Sequence, residues 1–172
     1  MIKQMKRVAL VAMSYGDLTV IYDRESERQD GSAYPFMEQL TKELNCVGLY
    51  VTNHDDSVLY YRLYKSGEII DDYDSCPNYF DGASVPPEGG NAEILCNTFG
   101  VLSARERVQD ILRYDNFTKE NAGRYIWAID RHGHLVEALG LPVIAVGFGY
   151  TYLAQNEFPE GLSPDNIISL PV

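Results

Sequence analysis

The chain has 172 residues, of which 45% are apolar types and 23% are charged. These proportions are close to those of an average globular chain and far from those of disordered proteins, so we expect one folded domain over residues 1–172. Fourteen Lys and Arg residues against 25 Asp and Glu give a net charge of −11. This charge repels nucleic acid and anionic lipid, so no nucleic-acid or membrane partner is expected, whereas a basic protein partner is compatible with it.

The location of the protein is predicted to be cytoplasmic. The longest apolar run, residues 8–13, is far shorter than the roughly 20 residues that a membrane helix needs. The basic residues 1–7 are not followed by the apolar core and cleavage site of a signal peptide. Cys46, Cys76 and Cys96 form no CxxC pair, and their odd number favours reduced thiols in a reducing compartment.

The first part of the chain predicts two extended segments and one helix. Residues 6–13 form a mostly apolar run that is typical of a strand. Residues 18–22 also favour a strand, although their apolar positions fit one helical face as well. Residues 24–31 are polar and predict an exposed loop. Apolar residues recur at helical spacing between Phe36 and Leu44, which predicts an amphipathic helix.

The clearest pattern lies in residues 46–74. Three runs that are rich in β-branched and aromatic residues, CVGLYVT, SVLYYRLY and EIIDDYD, are separated by the short polar connections 53–56 and 65–67. Connections of this length join neighbouring antiparallel strands. The segment therefore predicts a three-stranded antiparallel meander.

The second half of the chain predicts mainly helices. Residues 76–90 hold three prolines and three glycines and predict a long loop. The segments that follow are predicted as helices at 92–99, 104–113 and 118–139, a strand at 143–148 and a tail from residue 160. Because the helices are grouped after the meander, the chain is predicted to be α+β, with a mainly antiparallel sheet and helices packed on one face.

A binding surface is predicted on the tyrosine-rich meander. The chain has 13 tyrosines, and aromatic residues would lie on both faces of the predicted strands. One face must cover the core, which leaves an aromatic and acidic surface suited to recognition. The residues assigned to this surface are Tyr50, Tyr61, Tyr64, Asp72, Tyr73 and Tyr79. The alternative is that these tyrosines fill ordinary strand positions or that helices cover both faces.

Metal and cofactor motifs are weak in this sequence. A zinc site needs three or four ligands, and these could come from a set of residues that converge in the fold: His54, Asp55, Asp56, His132 and His134. The alternative is that these residues occupy solvated turn positions and a polar helix face. The only GxG, residues 147–149, lacks the third glycine of a dinucleotide fingerprint. No cofactor is therefore expected, and no catalytic residue is assigned.

Three stretches of the chain resemble a family of uncharacterised small stand-alone bacterial proteins. The stretches are LYVTNHDDSVLYYRLYKSGEIIDDYDSCPNYF, EALGLP and AVGFGY. The resemblance covers about two thirds of the chain and implies a bacterial, cytoplasmic setting. It implies no activity and no functional residue.

These observations favour a non-enzymatic binding or regulatory protein of the immunity or inhibitor type. The acidic, tyrosine-rich surface of the meander would meet a basic partner. An alternative is a small metal-dependent hydrolase. A further alternative is a small-molecule-binding domain, with its site near the 53–56 and 76–90 loops.

Overall fold

The computed structural model describes residues 7–82, 85–114 and 125–170. Its twelve regular elements are β1 Ala9–Tyr15, β2 Leu18–Asp23, α1 Ala33–Leu44, β3 Val47–His54, β4 Val58–Lys65, β5 Glu68–Asp74, β6 Glu88–Gly89, α2 Ala92–Phe99, α3 Arg105–Arg113, α4 Ala128–Leu139, α5 Tyr150–Ala154 and β7 Ile167–Leu170. Within these described ranges, no helix combines the length and apolarity needed to cross a membrane. The elements form the predicted α+β fold with two antiparallel sheets.

The first sheet has the strand order β2-β1-β7, and both pairings are antiparallel. The prediction that residues 18–22 form a strand is confirmed, because β2 pairs with β1 along most of its length. Strand β7 was not expected in the predicted tail. Its four residues are too few for a periodic signal, and β1 provides their backbone partners.

The second sheet contains the predicted meander and has the order β3-β4-β5-β6. Asp55 and Asp56 have φ values of 45° and 54°, and the N–H of Ser57 donates to the His54 carbonyl at 2.8 Å. Two positive φ angles define a type I′ turn, which matches the twist of antiparallel strands. Ser66 and Gly67 form the second tight connection, also with positive φ.

Helices cover both faces of the second sheet. On one face, Leu59, Tyr61 and Leu63 of β4 are completely buried in a core shared with α2, α3 and α4. This is the predicted packing of helices on one face. On the opposite face lies α1, whose Thr41 approaches Gly48 so closely that a Cβ there would lie 2.6 Å from its Cγ2.

In the second half of the chain, one predicted helix is confirmed only in part and one predicted strand is wrong. The helix predicted over 118–139 begins at Ala128, since Trp127 is extended; residues 118–124 lie outside the described part of the chain. Residues 143–148, predicted as a strand, contain a short 3₁₀ helix at Val143–Ala145. Gly147 then turns the backbone with φ of 73°, which breaks an extended run.

Candidate ligand-binding cleft

Two of the predicted surface tyrosines belong to the core. Tyr61 and Tyr73 are 0% and 1% exposed, and their rings stack with centroids 5.4 Å apart. The Tyr61 hydroxyl donates to Asp71 at 2.7 Å, and the Tyr73 hydroxyl donates to the Leu112 carbonyl at 3.0 Å. Burial raises the pKa of both phenols. Assigning them to a recognition surface was wrong, because α2, α3 and α4 cover this face.

The other four predicted surface residues do not form one patch. Tyr64 is 1% exposed on the face covered by α1, so its assignment was also wrong. Tyr50 is half-buried with its ring edge against Tyr34 of α1. Asp72 is exposed on β5, and Tyr79 is exposed in the following loop. Only Asp72 and Tyr79 therefore retain open side chains.

The five residues of the alternative metal site are not brought together. In the described ranges, no group of three or more His, Cys, Asp or Glu side chains is placed to hold a metal ion. His54 contacts Gln29, with Nδ1 2.6 Å from Oε1, and His134 Nδ1 lies 3.1 Å from the Tyr125 hydroxyl. Asp55 is open to solvent. Asp56 and His132 have other roles, in capping α4 and in lining a cleft.

A large cleft separates the first sheet from the rest of the fold. We call it the interlayer cleft; it has a volume of about 1280 Å³. One wall is the face of the first sheet that carries Val11, Ile21 and Ile168, which share one side in the strand register. The opposite wall consists of α1, β3 and α4. Its apolar residues include Phe36, Leu40, Leu49, Val51, Ile129 and Val136.

Asn53 of β3 and His132 of α4 line the cleft together. The Asn53 Nδ2 lies 3.1 Å from His132 Nδ1. His132 is only 4% exposed, and desolvation lowers its pKa from 6.5 to about 4. Its imidazole is therefore uncharged at neutral pH. Asn53 Oδ1 and His132 Nε2 are buried without a hydrogen-bond partner among the described residues.

The contact between these two side chains fixes what they present to a ligand. An amide nitrogen only donates, so His132 Nδ1 accepts and the imidazole proton lies on Nε2. One donor, Nε2–H, and one acceptor, Asn53 Oδ1, are left unpaired. If the Asn53 amide has the opposite orientation, its oxygen accepts from His132 Nδ1–H. The Asn53 amide nitrogen is then the unpaired donor and His132 Nε2 the unpaired acceptor. The pair thus offers one donor and one acceptor in either orientation.

The charged residues that line the cleft are acidic. The carboxylates are Asp17, Asp23, Glu27, Asp55 and Asp56, and the described lining includes no Lys or Arg. Three of them are already engaged: Asp23 pairs with Arg7, Glu27 accepts from Thr151, and Asp56 accepts from Ile129. Asp17 and Asp55 remain exposed. The electrostatic environment of the cleft is therefore unfavourable for anions.

The cleft and its polar pair were not predicted from the sequence. Asn53 and His132 are separated by 79 positions, and no motif spacing connects them. The predicted small-molecule site included the 53–56 loop, and Asn53, Asp55 and Asp56 do line the cleft. Of the 76–90 loop, the other half of that prediction, the described residues 76–82 and 85–90 do not contribute to its lining.

Comparisons of the chain with protein-family models, with curated proteins and with solved structures found no match. The function is therefore argued from the site alone. The fold and the cleft together define an α+β protein with two antiparallel sheets and, between its layers, a cleft lined mainly by apolar residues.

Proposed function

We propose that the protein binds a small molecule in the interlayer cleft. The observation that carries this proposal is the unpaired donor and acceptor of His132 and Asn53 in a cleft that is lined mainly by apolar residues. Ligand sites are typically clefts of about 300–1,000 Å³, lined by apolar side chains and a few polar groups that fix orientation. The interlayer cleft is slightly larger and has this composition.

The energetics of the two side chains support binding. A buried polar group without a partner costs about 1–3 kcal/mol, because it has lost its hydrogen bonds to water. A ligand that pairs with both groups removes this cost. It also removes apolar surface of the opposing walls from water, which stabilises the complex.

Nile red, an uncharged apolar dye, tests whether the cleft binds ligands. We expect saturable fluorescence enhancement with one dye per chain. Ile168→Trp places a larger side chain in the cleft at a position that is 48% exposed, so it should weaken binding at least about tenfold without disturbing the core. The matched control is Leu102→Trp, at a position 58% exposed and outside the cleft. Equal binding by both variants would refute the proposal.

A second candidate function is recognition of a basic partner by a patch at the tip of the β3–β4 hairpin. The patch comprises His54, Asp55, Tyr79, Phe80 and Asp81. The Phe80 ring contacts His54, with centroids 4.9 Å apart, and is 79% exposed. An exposed aromatic ring beside open carboxylates suits a basic surface, and the net charge of −11 favours the same partner.

Fluorescence anisotropy with a labelled lysine-rich peptide tests this second function. Binding should fall with added salt, and Phe80→Ala should weaken it several-fold. Val143→Ala, at a position 62% exposed and distant in sequence from the patch, is the control. If a glutamate-rich peptide binds equally well, or if both variants behave alike, the patch has no such role.

The cytoplasmic setting is part of the proposal. It is supported by Cys46 and Cys96, which are free thiols. Free thiols persist in reducing compartments. Mass spectrometry of protein isolated from cells under alkylating conditions should find Cys46 and Cys96 reduced.

A further inference from the structure

The polar groups of the interlayer cleft restrict the chemistry of its ligand. We infer that the ligand is an uncharged molecule with an apolar body and one amide-type group, which pairs with Asn53 and His132. This inference rests on the proposed function and deepens it. The relevant observations are the unpaired atoms of the two side chains, the acidic lining and the apolar walls.

The amide-type group follows from the unpaired atoms. His132 and Asn53 offer one donor and one acceptor, and each is buried. A carboxamide or lactam presents one acceptor and at least one donor on neighbouring atoms, so it can satisfy both side chains at once. A hydroxyl, amine or ether supplies a poorer match, since a single atom must serve both partners or leaves one unpaired.

The absence of charge on the ligand follows from the surroundings of the pair. A carboxylate ligand would need a cation, but the described lining contains no Lys or Arg, and the imidazole of His132 is uncharged. A carboxylate also has no proton for Asn53 Oδ1. A cationic ligand would be drawn to the open carboxylates of Asp17 and Asp55, yet its charge would be desolvated beside an uncharged pair.

The apolar body follows from the walls. The first sheet contributes Val11 and Ile21, while Phe36, Leu40 and Val136 lie on the other side. These side chains offer no hydrogen bonds, so a polar body would lose its hydration without compensation. The ligand class is therefore apolar except at one end.

Four naphthalene derivatives test the inference by isothermal calorimetry. They bear, at the same ring position, a carboxamide, a carboxylate, an aminomethyl or a methyl group. At neutral pH we expect the carboxamide to bind at least about tenfold tighter than each of the other three, because it alone pairs with both buried groups. Equal or tighter binding of the carboxylate or the amine would overturn the inference.

Two variants link the preference to the pair itself. His132→Phe keeps an aromatic ring of similar shape, and Asn53→Leu removes the partner on the other element. In each folded variant the carboxamide and the methyl derivative should bind with equal affinity. A carboxamide preference that persists in either folded variant overturns the assignment. Circular dichroism establishes that each variant is folded, and either variant alone is sufficient.

The outcomes for the inference and for the proposed function are distinguishable. If Nile red binds in an Ile168-dependent manner but the carboxamide shows no preference, the cleft binds ligands and the inferred ligand class is wrong. If neither Nile red nor any naphthalene derivative binds, the proposed function is wrong, and the inference fails with it.

Discussion

The carboxylate of Asp56 accepts a hydrogen bond from the backbone N–H of Ile129, 2.8 Å away, although 73 positions separate the two residues. The Asp56 carbonyl also accepts from the N–H of Ala128 at 2.8 Å. The β3–β4 hairpin thus caps the start of α4, where Trp127 has no side-chain acceptor. Since α4 carries His132 and β3 carries Asn53, the same contact sets the two polar groups of the cleft side by side.

Asp56→Ala tests this cap. We expect a loss of about 1–2 kcal/mol in the free energy of unfolding, because the Ile129 N–H at the helix start loses its carboxylate acceptor, while the backbone carbonyl that accepts from Ala128 is retained. Asp56→Asn keeps a neutral acceptor and should lose less. The matched control is Asp55→Ala, whose side chain is 83% exposed; its backbone also has a positive φ, so it shares the turn cost without the cap and should lose less stability than Asp56→Ala. Urea denaturation measures all three; equal losses at positions 55 and 56 would refute the capping role.

The buried imidazole of His132 predicts a pH dependence of stability. Its folded pKa is lowered to about 4, whereas an unfolded histidine has a pKa near 6.5. Between these values the unfolded chain binds a proton that the folded chain excludes, so stability falls as pH falls from about 6.5 to about 4, by about 3 kcal/mol.

The variant His132→Phe separates this effect from those of other groups. Burial raises the pKa of Asp71 and Asp74 above the ordinary 3.8, and such groups act in the opposite direction at the acid end. Urea denaturation at a series of pH values, at constant ionic strength, should give a shallower dependence for His132→Phe than for the wild type. Identical dependences would show that His132 does not titrate as described.

Substitution of Arg131 is expected to reduce the free energy of unfolding by a large amount. It is 2% exposed, and its guanidinium donates to the Ile111 and Tyr114 carbonyls at 2.8 and 2.6 Å. Arg131→Met leaves these carbonyls at the end of α3 without their donor and should cost at least about 3 kcal/mol. Arg131→Lys should rescue little of this loss, since a single ammonium cannot replace a planar fork of donors.

The control for Arg131 is Arg107, which pairs with Glu137 at the surface. Arg107 and Glu137 side chains are 53% and 62% exposed. Exposed ion pairs contribute at most about 1 kcal/mol, so Arg107→Met should have a small effect in the same urea denaturation experiment. A loss for Arg131→Met no larger than that for Arg107→Met would contradict the role of the buried guanidinium.

Gly89 and Gly100 separate two reasons for which a position needs glycine: a left-handed backbone, and a lack of space for a side chain. Their φ angles are similar, 66° and 72°. A Cβ at Gly89 would lie 2.3 Å from the Asp72 carbonyl oxygen, whereas a Cβ at Gly100 meets nothing within 4 Å. Gly100→Ala should therefore cost about 1–2 kcal/mol for the left-handed backbone alone, and Gly89→Ala should cost about 1–3 kcal/mol more. Thermal unfolding compares them; equal losses would exclude the clash.

The sequence predicted local structure better than it predicted exposure. The alternation along β4 and the turn residues Asp55 and Asp56 suffice to identify the meander, because both act over a few residues. Tyr64 is buried because α1 covers its face of the second sheet, and no local sequence pattern indicates this contact. The run 143–148 has a composition typical of a strand, but it lacks a partner strand among the described residues.

The candidate site was harder to predict because it depends on tertiary packing. His132 belongs to a helical segment whose predicted start was wrong, and its partner Asn53 was interpreted as part of a polar connection. One wall of the cleft needs β7, a strand that the sequence did not indicate. Only the three residues that line the cleft from the 53–56 loop had been assigned to a small-molecule site.

The pairing of β1 with β7 has a consequence for synthesis of the chain. Ala9 is opposite Leu170, so β1 leaves the ribosome long before the strand that completes its sheet. Until β7 is synthesised, one edge of β1 is unpaired, and Val11 and Ile21 are exposed to solvent. Nascent chains in such a state bind chaperones or associate with one another. Ile168 and Leu170 are synthesised after the other residues that line the interlayer cleft, and its first wall is complete only when they pair with β1.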